Sequence, residues 1–224
     1  MTTVGVGVLT FDHIRTGRQE DFWRTWNSIQ NTGHEAEILV LTNGSTDGTQ
    51  DVVRDLGGIV DDTRSEIWYG NQRLVNELAH NDIVVLSADD LEYQDGWLER
   101  VVAFVEAAPA EFALLSAYIE PVWDWNQPRT AIEYGGQRAV IRDSVCGSSW
   151  IFRGEDWKRW MGPFPRIFPG EDLHICNRVR DRGCTMAALD LVEHIGVERS
   201  AWGNQSHTYA TPFDRQAWGL TDAA

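Results

Sequence analysis

The chain has 224 residues, 42% of them hydrophobic, and a formal net charge of −15 at pH 7. Its length and hydrophobic content suffice for one large core, which predicts a single domain. So acidic a surface argues against a nucleic-acid partner, because contacts with phosphates supply most non-specific affinity for nucleic acid. No apolar stretch is long enough to span a bilayer, and residues 1–3 lead directly into a predicted strand, so we expect a soluble, cytoplasmic protein.

The first 90 residues alternate between apolar runs and segments with apolar residues at helical spacing. Strands that alternate with helices along a chain form a parallel sheet with helices on its faces, so we predict an α/β fold. The predicted strands lie at residues 4–9, 38–41, 58–60 and 83–86, and the predicted helices at residues 22–29, 49–56 and 67–78.

The pattern changes after residue 90. The loop at residues 121–128 contains Trp123 and Trp125, which serve either as core anchors or as a stacking platform for a ligand ring. The tail at residues 201–224, with Trp202, forms either a lid over a site or a segment packed against the sheet. A helix is predicted at residues 98–105, a strand at 112–118 and a small antiparallel hairpin at 131–134 and 137–141.

Two adjacent carboxylates follow the fourth predicted strand, in the segment Leu86-Ser87-Ala88-Asp89-Asp90. In an open α/β sheet, ligands bind outside the carboxyl ends of the strands. Divalent cations prefer oxygen ligands that they share with the phosphates of a substrate. The pair therefore indicates either a cation site or a solvated cap for the next helix.

Two other polar segments stand at predicted helix starts. The turn at residues 43–49 contains Gly44 and Gly48, which allow close backbone approach, and its hydroxyl and carboxylate side chains can cap a helix. It is either a ligand-binding turn or a capped turn without a ligand. Glu171 and Asp172 open a later helical segment, where the helix dipole also favours acidic residues.

In order and spacing, these motifs resemble those of the family 2 glycosyltransferases, nucleotide-sugar-dependent enzymes with the GT-A fold. The resemblance covers roughly residues 4–200. It implies a Rossmann-like, mostly parallel central sheet with helices on both faces, a donor half at residues 1–95 and a catalytic half at residues 96–200. The matching segments are residues 4–11, 43–49, 87–90, 147–153, 162–164, 170–173 and 194–196, with Ser200.

The resemblance implies a metal-dependent, inverting enzyme that moves a hexosyl or N-acetylhexosaminyl group from a nucleoside-diphosphate sugar, with a UDP-sugar favoured. The acceptor is a hydroxyl group of a glycan, a protein or a small molecule. By resemblance, Asp172 is the general base and Glu171 orients the acceptor. Asp89, with Asp90 beside it, and His194 would hold the divalent cation, Mn²⁺ or Mg²⁺.

The remaining assignments concern the donor and the sugar. We expect three tryptophans, Trp123, Trp150 and Trp202, to contact the acceptor or the sugar. The donor-binding residues that the resemblance implies are Thr10, Phe11, Asp12, Asn43, Asp47, Arg73, Asn76, Ala88, Asp89 and Asp90.

Three positions depart from the family pattern. Thr42 stands where many members carry an acid that hydrogen-bonds uracil, and Ser87 stands where many have the first Asp of the strand-end motif. Val75 replaces an arginine that is common near the pyrophosphate, for which Arg73 or Arg64 would substitute. The departures point to an unusual donor or to a weakened enzyme.

Two alternatives to a transferase follow from the same residues. A sugar-phosphate nucleotidyltransferase is disfavoured, because residues 10–15 are not a Gly-rich loop. A non-catalytic sugar- or nucleotide-binding domain is consistent with the 11 tryptophans and the three departures. Retention of Glu171, Asp172 and His194 argues against it, because a binding module has no need of a base.

Overall fold

The computed structural model describes residues 1–62, 66–117, 130–145, 147–166 and 170–195, with the backbone alone at residues 193 and 194. Nine strands of the described residues form one sheet, in the order β3-β2-β1-β4-β9-β6-β10-β8-β7, and β5 pairs with β11 in a separate ribbon. The strands are β1 (Val4–Thr10), β2 (Glu37–Asn43), β3 (Ile59–Asp61), β4 (Ile83–Ala88), β5 (Leu91–Tyr93), β6 (Phe112–Ser116), β7 (Ala131–Tyr134), β8 (Gln137–Arg142), β9 (Ser149–Arg153), β10 (Thr185–Ala188) and β11 (Val192–His194).

Seven of the nine strands run in one direction, and β8 and β9 run against them. The predicted α/β class and mostly parallel sheet are confirmed, with the addition that β9 lies inside the sheet, between β4 and β6. The predicted hairpin is also confirmed as the pair of β7 and β8 at one edge. The helices are α1 (Gln19–Gln30), α2 (Thr49–Asp55), α3 (Ile67–Leu78), α4 (Trp97–Ala107), the single turn α5 (Gly154–Asp156), which continues as a π-helix (Trp157–Met161), and α6 (Glu171–Asp181).

The sheet is buried on both faces. Along β4, Ile83 and Val85 join one hydrophobic cluster with residues of α1, α2 and α4, while Val84 and Leu86 join a second cluster with residues of α3 and α6. Successive side chains of a strand point to opposite faces, so a strand covered on both sides has consecutive apolar residues in its sequence. Helices therefore cover both faces, as predicted.

The carboxyl ends of the first strands meet at one edge of the sheet. Thr10 pairs with Thr42 of β2, and Leu9 pairs with Ala88 of β4, so β1, β2 and β4 end side by side. The β5–β11 ribbon stands directly after this edge, because the Ile195 amide donates a hydrogen bond of 2.9 Å to the Asp90 carbonyl. The polar segments that follow these strands are thereby brought together.

Candidate active site

Asp89 lies at the centre of a buried polar cluster at the end of β4. Its Oδ1 accepts a hydrogen bond of 2.7 Å from Arg18 Nη1, and its Oδ2 accepts one of 2.5 Å from Thr10 Oγ1. The Thr10 hydroxyl is also 2.9 Å from Nδ1 of His13. The carboxylate oxygens of Asp89 therefore have one partner at the end of β1 and one in the connection from β1 to α1.

Arg18 is held firmly in this cluster. Its guanidinium also donates to the carbonyl of Phe11 at 3.0 Å and to Thr16 Oγ1 at 3.1 Å, and only 2% of the residue is exposed. Burial acts to lower the pKa of Arg18, but the charge of Asp89, the hydrogen bond to Asp89 and the charges of Asp90 and Asp21 together outweigh burial and raise this pKa. Arg18 was not predicted from the sequence, because it belongs to no motif and its partner Asp89 lies 71 residues away.

Asp12 joins the two loops that follow β1 and β2. It adopts a φ of 45°, its Oδ1 accepts a hydrogen bond of 2.8 Å from the Thr46 amide, and its own amide donates to Ser45 Oγ at 2.9 Å. Its Oδ2 forms an ion pair with Arg15. The side chain is buried, so in this structure it fixes the loops around the predicted donor site.

Asp47 fixes the same turn from its other end. Its carboxylate accepts hydrogen bonds from the amides of Arg15 at 2.5 Å and Thr49 at 3.0 Å. Burial acts to raise the pKa of Asp47, but these hydrogen bonds outweigh it and lower this pKa. Thr42, which replaces the family's acid, has its hydroxyl 2.5 Å from Ser45 Oγ and is buried inside the turn.

Two of the remaining predicted donor residues, Asn43 and Arg73, lie near the ends of β2 and β3. Asn43 Nδ2 donates to the carbonyl of Glu66 at 3.0 Å. Arg73 donates to Asp61 Oδ2 at 3.1 Å, so it lies beside the end of β3. Asn76 is exposed on α3, where its Oδ1 accepts a hydrogen bond from the side chain of the preceding turn.

Asp90 is buried next to Asp89. Burial raises the pKa of Asp90 to about 7, and the neighbouring charge of Asp89 acts in the same direction. The backbone of His194 pairs with Leu91, so β11 returns the chain to within a few residues of both carboxylates. Ligation of a cation by His194 stays a prediction.

The second acid pair opens α6, after Gly170 with a φ of 114°. Burial raises the pKa of Glu171 from its ordinary value of 4.5 to about 7, with the charge of Asp172 acting in the same direction. Burial also raises the pKa of Asp172, whose Oδ1 accepts a hydrogen bond of 2.8 Å from the Leu173 amide. Among the described residues, Glu171 Oε2 is a buried oxygen without a hydrogen-bond partner.

The segment before β9 connects the two acid pairs. The Ala88 amide donates a hydrogen bond of 2.7 Å to the Ser148 carbonyl, directly before Asp89. A Cβ placed on the adjacent Gly147 would lie 3.3 Å from Cβ of Asp172. One short segment therefore contacts both the end of β4 and the start of α6.

Trp150 lies in the core beside this segment. A Cβ on Gly147 would be 3.6 Å from the indole, whose ring stacks on Phe164 with centroids 5.3 Å apart and is 1% exposed. Contact between Trp150 and an acceptor stays a prediction. Trp123, Trp202, Arg64, the tail at residues 201–224 and the side chain of His194 lie outside the described residues.

The chemistry of the end of β4 fits a divalent cation. The charges of Asp21, Asp89 and Asp90 all act on Arg18, so buried carboxylates outnumber the basic side chain among them. Carboxylate oxygens suit Mn²⁺ and Mg²⁺. The described residues, which omit the side chain of His194, contain no group of three or more His, Cys, Asp or Glu side chains arranged to hold a metal ion.

Comparison with known proteins identifies the class. An α/β fold with this sheet is shared with solved glycosyltransferase structures of the GT-A type. Residues 17–189 match glycosyl transferase family 2, and the chain belongs to this family. Both the fold class and the family expected from the motifs are therefore confirmed. Within the described residues, no helix has the length and apolar character needed to cross a membrane.

A curated relative and three solved structures are similar to the chain. Glycosyltransferase AglE of Haloferax volcanii is 23% identical over 164 residues, which cover 67% of this chain and 53% of the relative. This chain thus spans about half the length of that relative. Mannosyltransferase PcManGT from Pyrobaculum calidifontis, in complex with GDP-Man and Mn²⁺, has a TM-score of 0.66 at 16% identity and covers 100% of this chain and 65% of its own.

The other two structures contain UDP. S. aureus TarS 1-349 in complex with UDP has a TM-score of 0.60 at 14% identity, over 88% of this chain and 62% of its own. Glucosyl-3-phosphoglycerate synthase from Mycobacterium tuberculosis, in complex with Mg²⁺ and UDP, has a TM-score of 0.57 at 16% identity. The match covers 99% of this chain and 81% of the synthase chain. At these identities the likeness establishes the fold alone.

Proposed function

We propose that this protein transfers a sugar from a nucleoside-diphosphate sugar to an acceptor hydroxyl, with inversion at the anomeric carbon. The observation that carries the proposal is the short segment at Gly147 and Ser148, which contacts both Ala88 and Asp172. A donor whose diphosphate lies at the end of β4 would extend its sugar along this segment toward the start of α6. That arrangement would put a base next to the reacting carbon.

Asp172 is the proposed general base. Its carboxylate would accept the proton of the acceptor hydroxyl as the oxygen attacks the anomeric carbon and the bond to the diphosphate breaks on the opposite side. A buried carboxylate with a raised pKa accepts a proton more readily than an exposed one. Glu171, whose buried Oε2 has no hydrogen-bond partner in the part of the chain that the structure describes, would orient the acceptor through a second hydroxyl.

The donor would be held at the carboxyl ends of β1, β2 and β4. Asp89 and His194 would hold Mn²⁺ or Mg²⁺, with Asp90 beside them, and a bound cation would neutralise the charge on the departing diphosphate. Thr10, Phe11, Asp12, Asn43, Asp47, Arg73 and Ala88 complete the proposed donor site, whereas Asn76 is exposed farther along α3. Complexes of similar structures with a nucleotide and Mn²⁺ or Mg²⁺ support this assignment.

The nucleotide base of the donor is proposed as a chemical class, and so is the acceptor. Similar structures contain UDP or GDP-Man, so a UDP-sugar and a GDP-sugar are the first donors to test. Thr42 contacts Ser45 inside the turn, so recognition of the base would depend on Asn43 and the backbone around it rather than on an acid at position 42. The proposed acceptor is a glycan, a protein or a small molecule.

A non-catalytic nucleotide- or sugar-binding domain is the second candidate. It is favoured by one observation, that both oxygens of Asp89 already have partners within the chain. The two candidates differ in whether the bound donor is consumed.

The proposal is tested by thermal stability with a panel of nucleoside diphosphates and their sugars, each with and without Mn²⁺. A ligand at about a hundredfold its Kd stabilises a protein by roughly 2.7 kcal/mol. We expect one nucleotide to raise the Tm only when Mn²⁺ is present, and Asp89→Ala to lose that shift. Stabilisation without release of nucleoside diphosphate from its sugar would favour the binding domain, and no stabilisation by any nucleotide would contradict the donor site.

A further inference from the structure

Arg18 occupies the place at Asp89 where the proposed function puts a cation. We propose that Arg18 is a positioning residue that competes with the divalent metal for Asp89, so that metal and nucleotide must together displace its guanidinium. The inference rests on the proposed function, because it concerns how the donor site is formed. The new element is a residue of this chain, Arg18, that would set the affinity for the metal.

The contacts of Arg18 show that its position is specific. Three of its nitrogens donate hydrogen bonds of 2.7, 3.0 and 3.1 Å, to Asp89, Phe11 and Thr16. A planar guanidinium with several directed contacts is fixed more firmly than a flexible ammonium group. The residue is 2% exposed, so solvent screens its charge little.

Two cations on one buried carboxylate repel each other. Arg18 Nη1 lies 2.7 Å from Asp89 Oδ1. Since a metal–oxygen bond adds roughly 2 Å, a metal on the same oxygen would lie at most about 5 Å from the guanidinium nitrogen. The repulsion at that distance is substantial in a partly dry site. Occupancy of Asp89 by Arg18 and by a metal should therefore exclude one another.

A displaced Arg18 would keep a counter-ion. The charges of Asp90 and Asp21 act on the guanidinium in addition to that of Asp89, and Asp21 belongs to α1, the helix that begins directly after Arg18. The guanidinium would thus exchange one carboxylate partner for another without leaving the buried cluster. In the absence of donor, the pairing of Arg18 with Asp89 stabilises the site without a metal.

The competition predicts that Mn²⁺ binds more weakly alone than together with a nucleoside diphosphate. Mn²⁺ alone must remove Arg18 from Asp89 and should bind weakly. With a nucleoside diphosphate present, the phosphate oxygens supply additional ligands, and the metal should bind more tightly. A purely structural role for Arg18 predicts no such link, because loss of the ion pair would then lower stability and leave the affinity for Mn²⁺ unchanged or weaker.

The test measures Mn²⁺ binding through the EPR signal of the free ion, with and without UDP or GDP, for the full chain and for Arg18→Gln. Arg24→Gln is the matched control, because it removes a positive charge from α1 that pairs with Glu92 rather than with Asp89. We expect Arg18→Gln to bind Mn²⁺ about tenfold more tightly without nucleotide and to gain more Tm from Mn²⁺ than the wild type. Arg24→Gln should behave like the wild type.

Unchanged or weaker Mn²⁺ binding by a folded Arg18→Gln overturns the inference, while metal-dependent nucleotide binding by the wild type would leave the proposed function intact. Absence of Mn²⁺ binding by both proteins, even with nucleotide, overturns the inference and removes the metal from the proposed function. If Arg18→Gln does not fold, Arg18→Lys decides, because an ammonium group cannot keep all three contacts. Its Mn²⁺ affinity should exceed that of the wild type, and an equal or lower affinity overturns the inference.

Discussion

The Ala88 amide and the Ser148 carbonyl form a hydrogen bond of 2.7 Å, and this contact fixes the end of β4 against the segment that begins β9. Gly147, one residue earlier, lies against Asp172 at the start of α6. The acid pair after β4 and the acid pair of α6 are far apart in sequence, and this segment contacts both the end of β4 and the start of α6.

Removal of the Asp89 charge should affect both binding and stability. Asp89→Asn should lose metal-dependent nucleotide binding, measured by calorimetry, and should lower the free energy of unfolding by about 1.5–3 kcal/mol, because Arg18 loses a charged hydrogen-bond partner. Glu92→Gln is the control, since its pair with Arg24 is partly exposed and contributes at most about 1 kcal/mol. Equal losses of unfolding free energy in the two variants, measured by urea denaturation, would contradict a stabilising buried pair of Asp89 and Arg18.

Glu171 should make stability depend on pH. Its pKa is raised in the folded protein from 4.5 to about 7, so between these values the folded state binds more protons than the unfolded state. The free energy of unfolding therefore falls as pH rises from about 4.5 to 7. Glu171→Gln cannot ionise and should lack this contribution, so its stability relative to the wild type should increase over that range. A constant difference between the two proteins would show that Glu171 titrates normally.

A methyl group at Gly147 should disturb the base. The new Cβ would lie 3.3 Å from Cβ of Asp172, which requires one of the two to shift by a few tenths of an ångström. Small displacements of catalytic groups reduce rates strongly, so Gly147→Ala should lower turnover by about tenfold or more. Nucleotide affinity and Tm serve as controls and should change little. Full turnover in this variant would show that a side chain at Gly147 does not displace the base.

The sequence was sufficient to predict the strands whose apolar runs are continuous. β1, β2 and β4 are buried on both faces, and the polar residues that follow each run lie at one edge, as expected for a parallel sheet. The acids that begin α6 were also predicted at a helix start. In these cases the local pattern and the tertiary environment agree.

Other features depend on contacts that no local pattern encodes. Arg18 and Asp89 are 71 positions apart, and the loop that holds Arg18 has no apolar period. The strands β5 and β11 have three residues each, too few for a periodic signal, and exist because they pair with each other. The φ of 45° at Asp12 follows from its hydrogen bonds to Ser45 and Thr46, which sequence spacing does not reveal.

The role of Asp172 as the base is tested most directly by donor turnover in the wild type and in Asp172→Asn. Turnover is followed as release of nucleoside diphosphate from its sugar in the presence of acceptor hydroxyls. The substitution keeps the size of the side chain but removes its capacity to accept the proton. We expect loss of turnover by at least about a hundredfold, with nucleotide affinity in the presence of Mn²⁺ retained. Unchanged turnover would contradict the assignment of Asp172 as the base and the placement of the reaction at the start of α6.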